Sequence, residues 1–112
     1  MSVTPNFVDW STIPSRQLAP GVSLRIVSTQ QVMLSLVEIQ PGATVPLHHH
    51  PHEQLGIWLE GDAQFRIGNE ERRVVAGDSY LIPSNVPHQV VGGPQGGKAL
   101  DIFSPPREDY LQ

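Results

Sequence analysis

The chain has 112 residues, seven basic and eleven acidic side chains, a net charge of −4 and no cysteine. That length suits one domain, able to bury roughly two-thirds of its unfolded surface without a staple. The scattered basic residues form no footprint for nucleic acid or an anionic membrane, and disulfides, thiolate zinc sites and cysteine nucleophiles are excluded.

The segment from Met1 to Trp10 has neither a basic stretch nor an apolar core of the signal type, and no run of eighteen apolar residues follows. A soluble, cytoplasmic protein is expected. Ten glycines and eleven prolines exceed the average share of about 12%, and this punctuation favours short strands and tight turns over helices. No repeat or linker interrupts Val22 to Phe103, so residues 1–112 are read as a single domain.

The expected strands are Ser23 to Ser28, Val32 to Ile39, Gln54 to Glu60, Gln64 to Ile67, Arg72 to Val75, Ser79 to Ile82, His88 to Val91 and Ala99 to Phe103. Each is rich in Val, Ile, Leu or aromatic residues and bounded by Gly, Pro, Asn or Asp. Gly61-Asp62 and Gly68-Asn69 are expected to be two-residue hairpin turns. Leu55-Gly56-Ile57-Trp58-Leu59 is apolar at successive positions, which implies burial on both faces. An all-β barrel or jelly roll with a filled or ligand-bearing interior, packed on a second sheet or subunit, meets that need. The proline-rich ends, Pro5 to Pro20 and Pro105-Pro106, are expected to lie as arms over the barrel, burying Phe7, Val8, Trp10 and Tyr110.

The five histidines fall in two places: His48, His49, His50 and His52 cluster, and His88 stands alone. In an extended chain the period of two puts His48, His50, His52 and Gln54 on one face and His49 and Glu53 on the other. Imidazoles two apart can reach one divalent ion together, whereas a polar loop would need no such spacing. Farther on, Asp101 lies inside an apolar strand, where aspartate is depleted, and shares a face with Phe103. Alone it reads first as a solvated edge residue, with Arg107 paired to Glu108 or Asp109 at the surface.

These residues carry a resemblance. Gly42, His48, His50, Gln54 and Gly61 stand at the spacings of the first cupin motif (residues 42–61). Gly77, Pro83 and His88 match the second (residues 77–92), which departs at Asn85 and Gly92, where cupins have Gly and Asn. Asn tolerates the left-handed turn that Gly provides, so the first departure is mild. The resemblance implies a cupin double-stranded β-helix, that is, a jelly-roll barrel, holding one metal ion on His48, His50, residue 54 and His88. Gln54 replaces the glutamate of many cupins. Three imidazoles and a neutral amide leave the ion its full charge, which favours Lewis-acid work over the redox chemistry of cupin dioxygenases. The ligand types suit Ni, Zn, Mn, Fe or Co.

The His-His-Gln-His set, together with Asp101-Ile102-Phe103-Ser104-Pro105-Pro106-Arg107, resembles the small cupins of pectin and alginate breakdown, the KdgF group. That resemblance implies conversion of 4,5-unsaturated monouronates to their linear keto-aldehyde form, an isomerase-type reaction. Asp101 is then the candidate general base and acid, Arg107 the fork for the substrate carboxylate, and Phe103 an apolar wall. Trp58 is a candidate to stack on the sugar or to pack the core. Cupin resemblance and the apolar runs also point to a homodimer. The rival readings are a metal-dependent cupin dioxygenase, which Gln54 opposes, and a non-catalytic sugar-binding cupin.

Overall fold

The computed structural model describes residues 5–112. Eight strands form the molecule: β1 (Arg16–Ala19), β2 (Val22–Ser28), β3 (Met33–Ile39), β4 (Thr44–His48), β5 (Glu53–Ile67), β6 (Glu70–Val75), β7 (Ser79–Ile82) and β8 (His88–Ser104). Only two short 3-10 turns, Trp10–Thr12 and Glu108–Tyr110, are helical among the described residues. The two long strands run through both walls of a jelly-roll barrel. The outer half of β8 joins β3 to the first half of β5, so that β1-β2-β3-β8-β5-β7 make one wall. The inner half of β8 joins β4 to the second half of β5, and β6 completes the other wall.

Alternation along these strands sorts core from surface as a pleated strand requires. Gln54, Gly56 and Trp58 point inward on β5 while Leu55, Ile57 and Leu59 point outward. Leu24, Met33, Val37, Phe65, Val74, Ile82, Val90 and Phe103 fill the interior from the other strands. All eight expected segments are extended but make six strands, because Gln54 to Glu60 and Gln64 to Ile67 are both parts of β5, and His88 to Val91 and Ala99 to Phe103 both parts of β8. β1 and β4 are additional: both are short and carry little alternation, β1 pairing with the adjacent β2 and β4 with the distant β8.

Three expectations are corrected. Gly61-Asp62 is no hairpin turn, since β5 continues through it to Ile67. Gly61 takes a positive φ (74°) at a register shift between Gly61 and Ala63, and a Cβ there would strike the carbonyl oxygen of Gly96. It is a bulge residue over which the neighbouring strand passes closely. The Gly68-Asn69 turn does join β5 to β6. The histidine run is not one strand either: β4 ends at His48, β5 starts at Glu53, and the chain bends between them. Finally, Phe7 is fully exposed and Val8 also lies at the surface. The N-terminal arm is held by polar contacts, with Arg25 donating to the carbonyls of Trp10 and Ile13. Only the C-terminal arm buries its aromatic residue, Tyr110.

Gly61→Ala is expected to destabilise the fold by at least about 1–2 kcal/mol, the cost of a side chain in the left-handed region, with the Gly96 clash added. Denaturant unfolding reads this directly as a lower midpoint.

Candidate metal centre and acid–base site

Strand pairing brings both histidine groups together. His48 on β4 stands opposite His88 on β8, and His50 follows on the bend. The bend is pinned by the second motif, because the Asn85 amide donates to the His50 carbonyl (2.8 Å) and Asn85 takes the left-handed conformation (φ 66°) expected of it. Ligand atoms of His48, His50 and His88 all lie within 4.8 Å of one another.

The orientation of each ring follows from its other nitrogen. Nδ1 of His48 faces the Pro46 carbonyl at 2.7 Å, that of His50 the His52 carbonyl at 3.1 Å, and that of His88 the Val86 carbonyl at 2.9 Å. A proton on each Nδ1 satisfies these carbonyls and leaves three Nε2 lone pairs, the arrangement of metal-binding histidines. Burial lowers the pKa of all three rings, with the Arg107 charge acting in the same direction, and His88 falls to about 4. They are neutral, ready donors near pH 7.

Two observations test whether a cation fits. Nε2 of His88 is buried with no hydrogen-bond partner. Nε2 of His50 lies 3.1 Å from Gln54 Oε1. The Gln54 amide also hydrogen-bonds the Asp101 carboxylate, so its N–H faces Asp101 and its oxygen faces His50. A neutral His50 has one N–H but meets an oxygen at each nitrogen, and one of these contacts therefore lacks a proton. A cation at Nε2 and Oε1 resolves that conflict. The residues present fit a divalent ion.

Asp101, inward on β8, stands opposite Gly56 on β5, as does Tyr80 on β7 from the other side. It accepts hydrogen bonds from the Tyr80 hydroxyl and from Gln54. Burial raises its pKa to about 6 against the opposing pull of both donors and of Arg107. Arg107 lies on the C-terminal arm, its guanidinium 5.4 Å from the Phe103 ring centroid and 4.2 Å from that of Tyr110. Nε and Nη2 bond Asp109 at 3.3 and 2.9 Å. The surface pairing with Asp109 is therefore real, but the Arg107 side chain is only 12% exposed and is stacked on rings instead of free in water.

Phe103 is buried between His50 and Tyr110, at 5.6 and 5.8 Å between ring centroids. Trp58 is fully buried, and its indole lies against Gly97, where a Cβ would collide with it. Packing is the role that position supports. His48, Gln54, Trp58, Tyr80, His88, Asp101, Phe103 and Arg107 line one cavity of about 50 Å³. Two contributors had no motif to reveal them. Tyr80 reaches Asp101 across a strand, and buried His52 bonds Glu108 at 2.7 Å, tying the C-terminal arm to the histidine bend.

The pattern of the cupin domain family matches residues 35–103. The pectin degradation protein KdgF of Dickeya dadantii is 32% identical over 107 residues, covering 94% of this chain and 96% of that protein. The structure of KdgF from Halomonas sp. superimposes with a TM-score of 0.90 at 29% identity, covering 96% of this chain and all of that one. The HTH-type transcriptional regulator PuuR of Escherichia coli is 34% identical over 73 residues, which are 61% of this chain and 40% of the regulator.

Protein purified without a histidine tag is expected to hold a divalent metal near one equivalent by elemental analysis, and His88→Ala to lose it. Unchanged metal content in that variant removes His88 from the site.

Proposed function

The chain belongs to the cupin family, and on that premise we propose that it converts 4,5-unsaturated monouronates, from pectin or alginate breakdown, to their linear keto-aldehyde form. The observation that carries this reading is the Gln54 side chain, which touches His50 with its oxygen and Asp101 with its amide. It sets a proton-transfer group one side chain away from the metal position. Similarity to KdgF over nearly the whole of both chains supports the substrate class.

The substrate ring is a hemiacetal whose ring oxygen is also part of an enol ether. Asp101 takes the proton of the C1 hydroxyl, the C1–O5 bond breaks, and an aldehyde forms at C1 as negative charge gathers on the C5 oxygen. Asp101 then returns the proton to C4, giving the C5 ketone; the net change is a proton moved from O1 to C4. A carboxyl of pKa about 6 suits a group that must both take and give at neutral pH. A divalent ion on Nε2 of His48, His50 and His88 and on Gln54 Oε1 would offset the charge gathering on the sugar oxygen, at full strength because all four ligands are neutral.

Arg107 orients the substrate carboxylate through its planar fork, with Phe103 as the apolar surface beneath it. The cavity of about 50 Å³ has room for an ion or a water molecule, while ligand pockets start near ~300 Å³. The C-terminal arm must therefore swing outward to admit a sugar, and Arg107 travels with it.

The reaction is followed as loss of ultraviolet absorbance from the conjugated C4=C5 bond, judged against the slow change in buffer. Asp101→Asn is expected to lower kcat by roughly 10²–10⁴-fold with metal retained. Arg107→Ala should raise KM more than it lowers kcat. Binding without acceleration by metal-loaded wild type returns the chain to the sugar-binding reading, and full activity of Asp101→Asn removes Asp101 from the mechanism.

The same proposal includes a homodimer of a soluble, cytoplasmic protein. Two rows run over the outer face of β3, β8, β5 and β7, Leu34–Ile102–Leu55–Leu81 and Leu36–Leu100–Ile57–Ser79, without one charged side chain, and Arg25 on β2 borders the second. Leu55, Ile57 and Leu81 on this face are exposed in the single chain, and this is the face that the sequence reading assigns to a second sheet or subunit. A second copy, apolar on the same face, completes it by a self-complementary contact. Sedimentation at micromolar concentration is expected to give twice 12.3 kDa, and Leu81→Lys to shift the protein to monomer. A wild type that sediments only as monomer overturns the dimer.

A further inference from the structure

We infer that the Tyr80 hydroxyl is the positioning group for the acid–base carboxylate, holding Oδ1 of Asp101 so that Oδ2 is the oxygen that takes and returns the proton. This rests on the linearisation reading above, but the geometry behind it stands without any ligand. Tyr80, Gly56 and Asp101 occupy one row across β7, β5 and β8 on the inner face. The phenol ring passes directly over Gly56, where a Cβ would fall inside the ring, and its hydroxyl donates to Asp101 Oδ1. Phe65 packs on the ring from the opposite wall, with centroids 4.5 Å apart. The phenol is thus clamped from two sides and has little freedom to leave the carboxylate.

Asp101 has few other means of being held. Ser35 continues the row on β3, next to Asp101, yet its buried hydroxyl has no hydrogen-bond partner. Tyr80 and Gln54 are the donors on the carboxylate, and on the present reading Gln54 is also committed to the metal. Burial holds the phenol far above its ordinary pKa, so it stays a donor throughout the working range. A permanent donor on one carboxylate oxygen cannot itself exchange protons with the substrate; it fixes which oxygen does. A carboxylate free to rotate would present either oxygen to O1 and then to C4, and its reach to each would vary from turnover to turnover.

Tyr80→Phe keeps the ring and its packing and removes only the donor. The expected result is a kcat lower by about tenfold or more, corresponding to one lost transition-state hydrogen bond, with KM within about twofold of wild type and metal content unchanged. In the Asp101→Asn background the same substitution should change nothing further, since Tyr80 acts through Asp101. A readout independent of rate is available in D₂O. Wild type should place deuterium on one face of the product C4, and Tyr80→Phe should lose that selectivity as solvent competes with a misplaced carboxyl. Wild-type kcat and face selectivity in Tyr80→Phe overturn the positioning role while leaving the linearisation reading in place. An equal further loss in the Asp101→Asn background also overturns it, by assigning Tyr80 its own contact with substrate. No acceleration by wild type fails the linearisation reading itself.

Discussion

The backbone ladder between β5 and β8 is the constraint on which the rest of the molecule depends. It runs from Glu53↔Ser104 to Ile67↔His88, with register shifts near Gly61, and the site's strand-borne groups are placed by it or by a strand paired to it, while His50 sits on the bend and Arg107 on the C-terminal arm. Gln54 opposes Phe103 and Gly56 opposes Asp101, while the far end of β8 carries His88 across to His48 on β4. A slip of one residue would turn Asp101 and Phe103 to the outer face and bring Leu100 and Ile102 inward. The bulge at Gly61 lets one long strand serve both walls, because it absorbs the bend without breaking the ladder.

Within that frame, one amide connects two kinds of chemistry. The Gln54 N–H on Asp101 orients the side chain, and this orientation is what turns Oε1 toward His50. A glutamate at residue 54 would present a carboxylate to the Asp101 carboxylate, and two like charges so close would force one to keep a proton. The neutral side chain avoids that conflict, so Asp101 can ionise beside the histidines. The same neutrality leaves Arg107 as the charge common to the site, and its field is felt by His48, His50, His88 and Asp101 alike.

Much of this was legible in the sequence, because a period of two survives wherever a strand has one buried face. It places Gln54, Gly56 and Trp58 inward, and Asp101 beside Phe103, without any knowledge of their partners. What stayed illegible depends on partners far along the chain. Gly61 signals a positive φ, but a hairpin turn and a bulge ask for the same φ; only the approach of Gly96 from β8 distinguishes them. His48 to Gln54 does alternate between buried and exposed, yet the backbone bends between His48 and Glu53. Alternation alone does not report where a ladder stops. Tyr80 had no signal at all, since its contact with Asp101 exists only because β7 and β8 flank β5 at Gly56. For the outward leucines, sequence shows that a residue is apolar and not whether its own chain or a second copy covers it.

The C-terminal arm joins these elements into one functional argument. Arg107 stacks on Phe103, a residue of the ladder, and on Tyr110, a residue of the arm. Two polar ties hold the same segment down: Glu108 on His52, and the Tyr110 and Gln112 carbonyls on Arg16 of β1. Both lie away from the ladder, and Glu108 is exposed, so the ties are of the kind that solvent can replace at modest cost. The ladder has no such exchange available, because its hydrogen bonds are interlocked across both walls. The rigid part therefore carries the groups whose geometry must not vary, His88, Gln54 and Asp101. The arm carries Arg107, which on the proposed reading lets a substrate pass and then closes on its carboxylate. An opening that moved the histidines or Asp101 would lose the arrangement it exposes, whereas an opening confined to residues 105–112 leaves that arrangement standing.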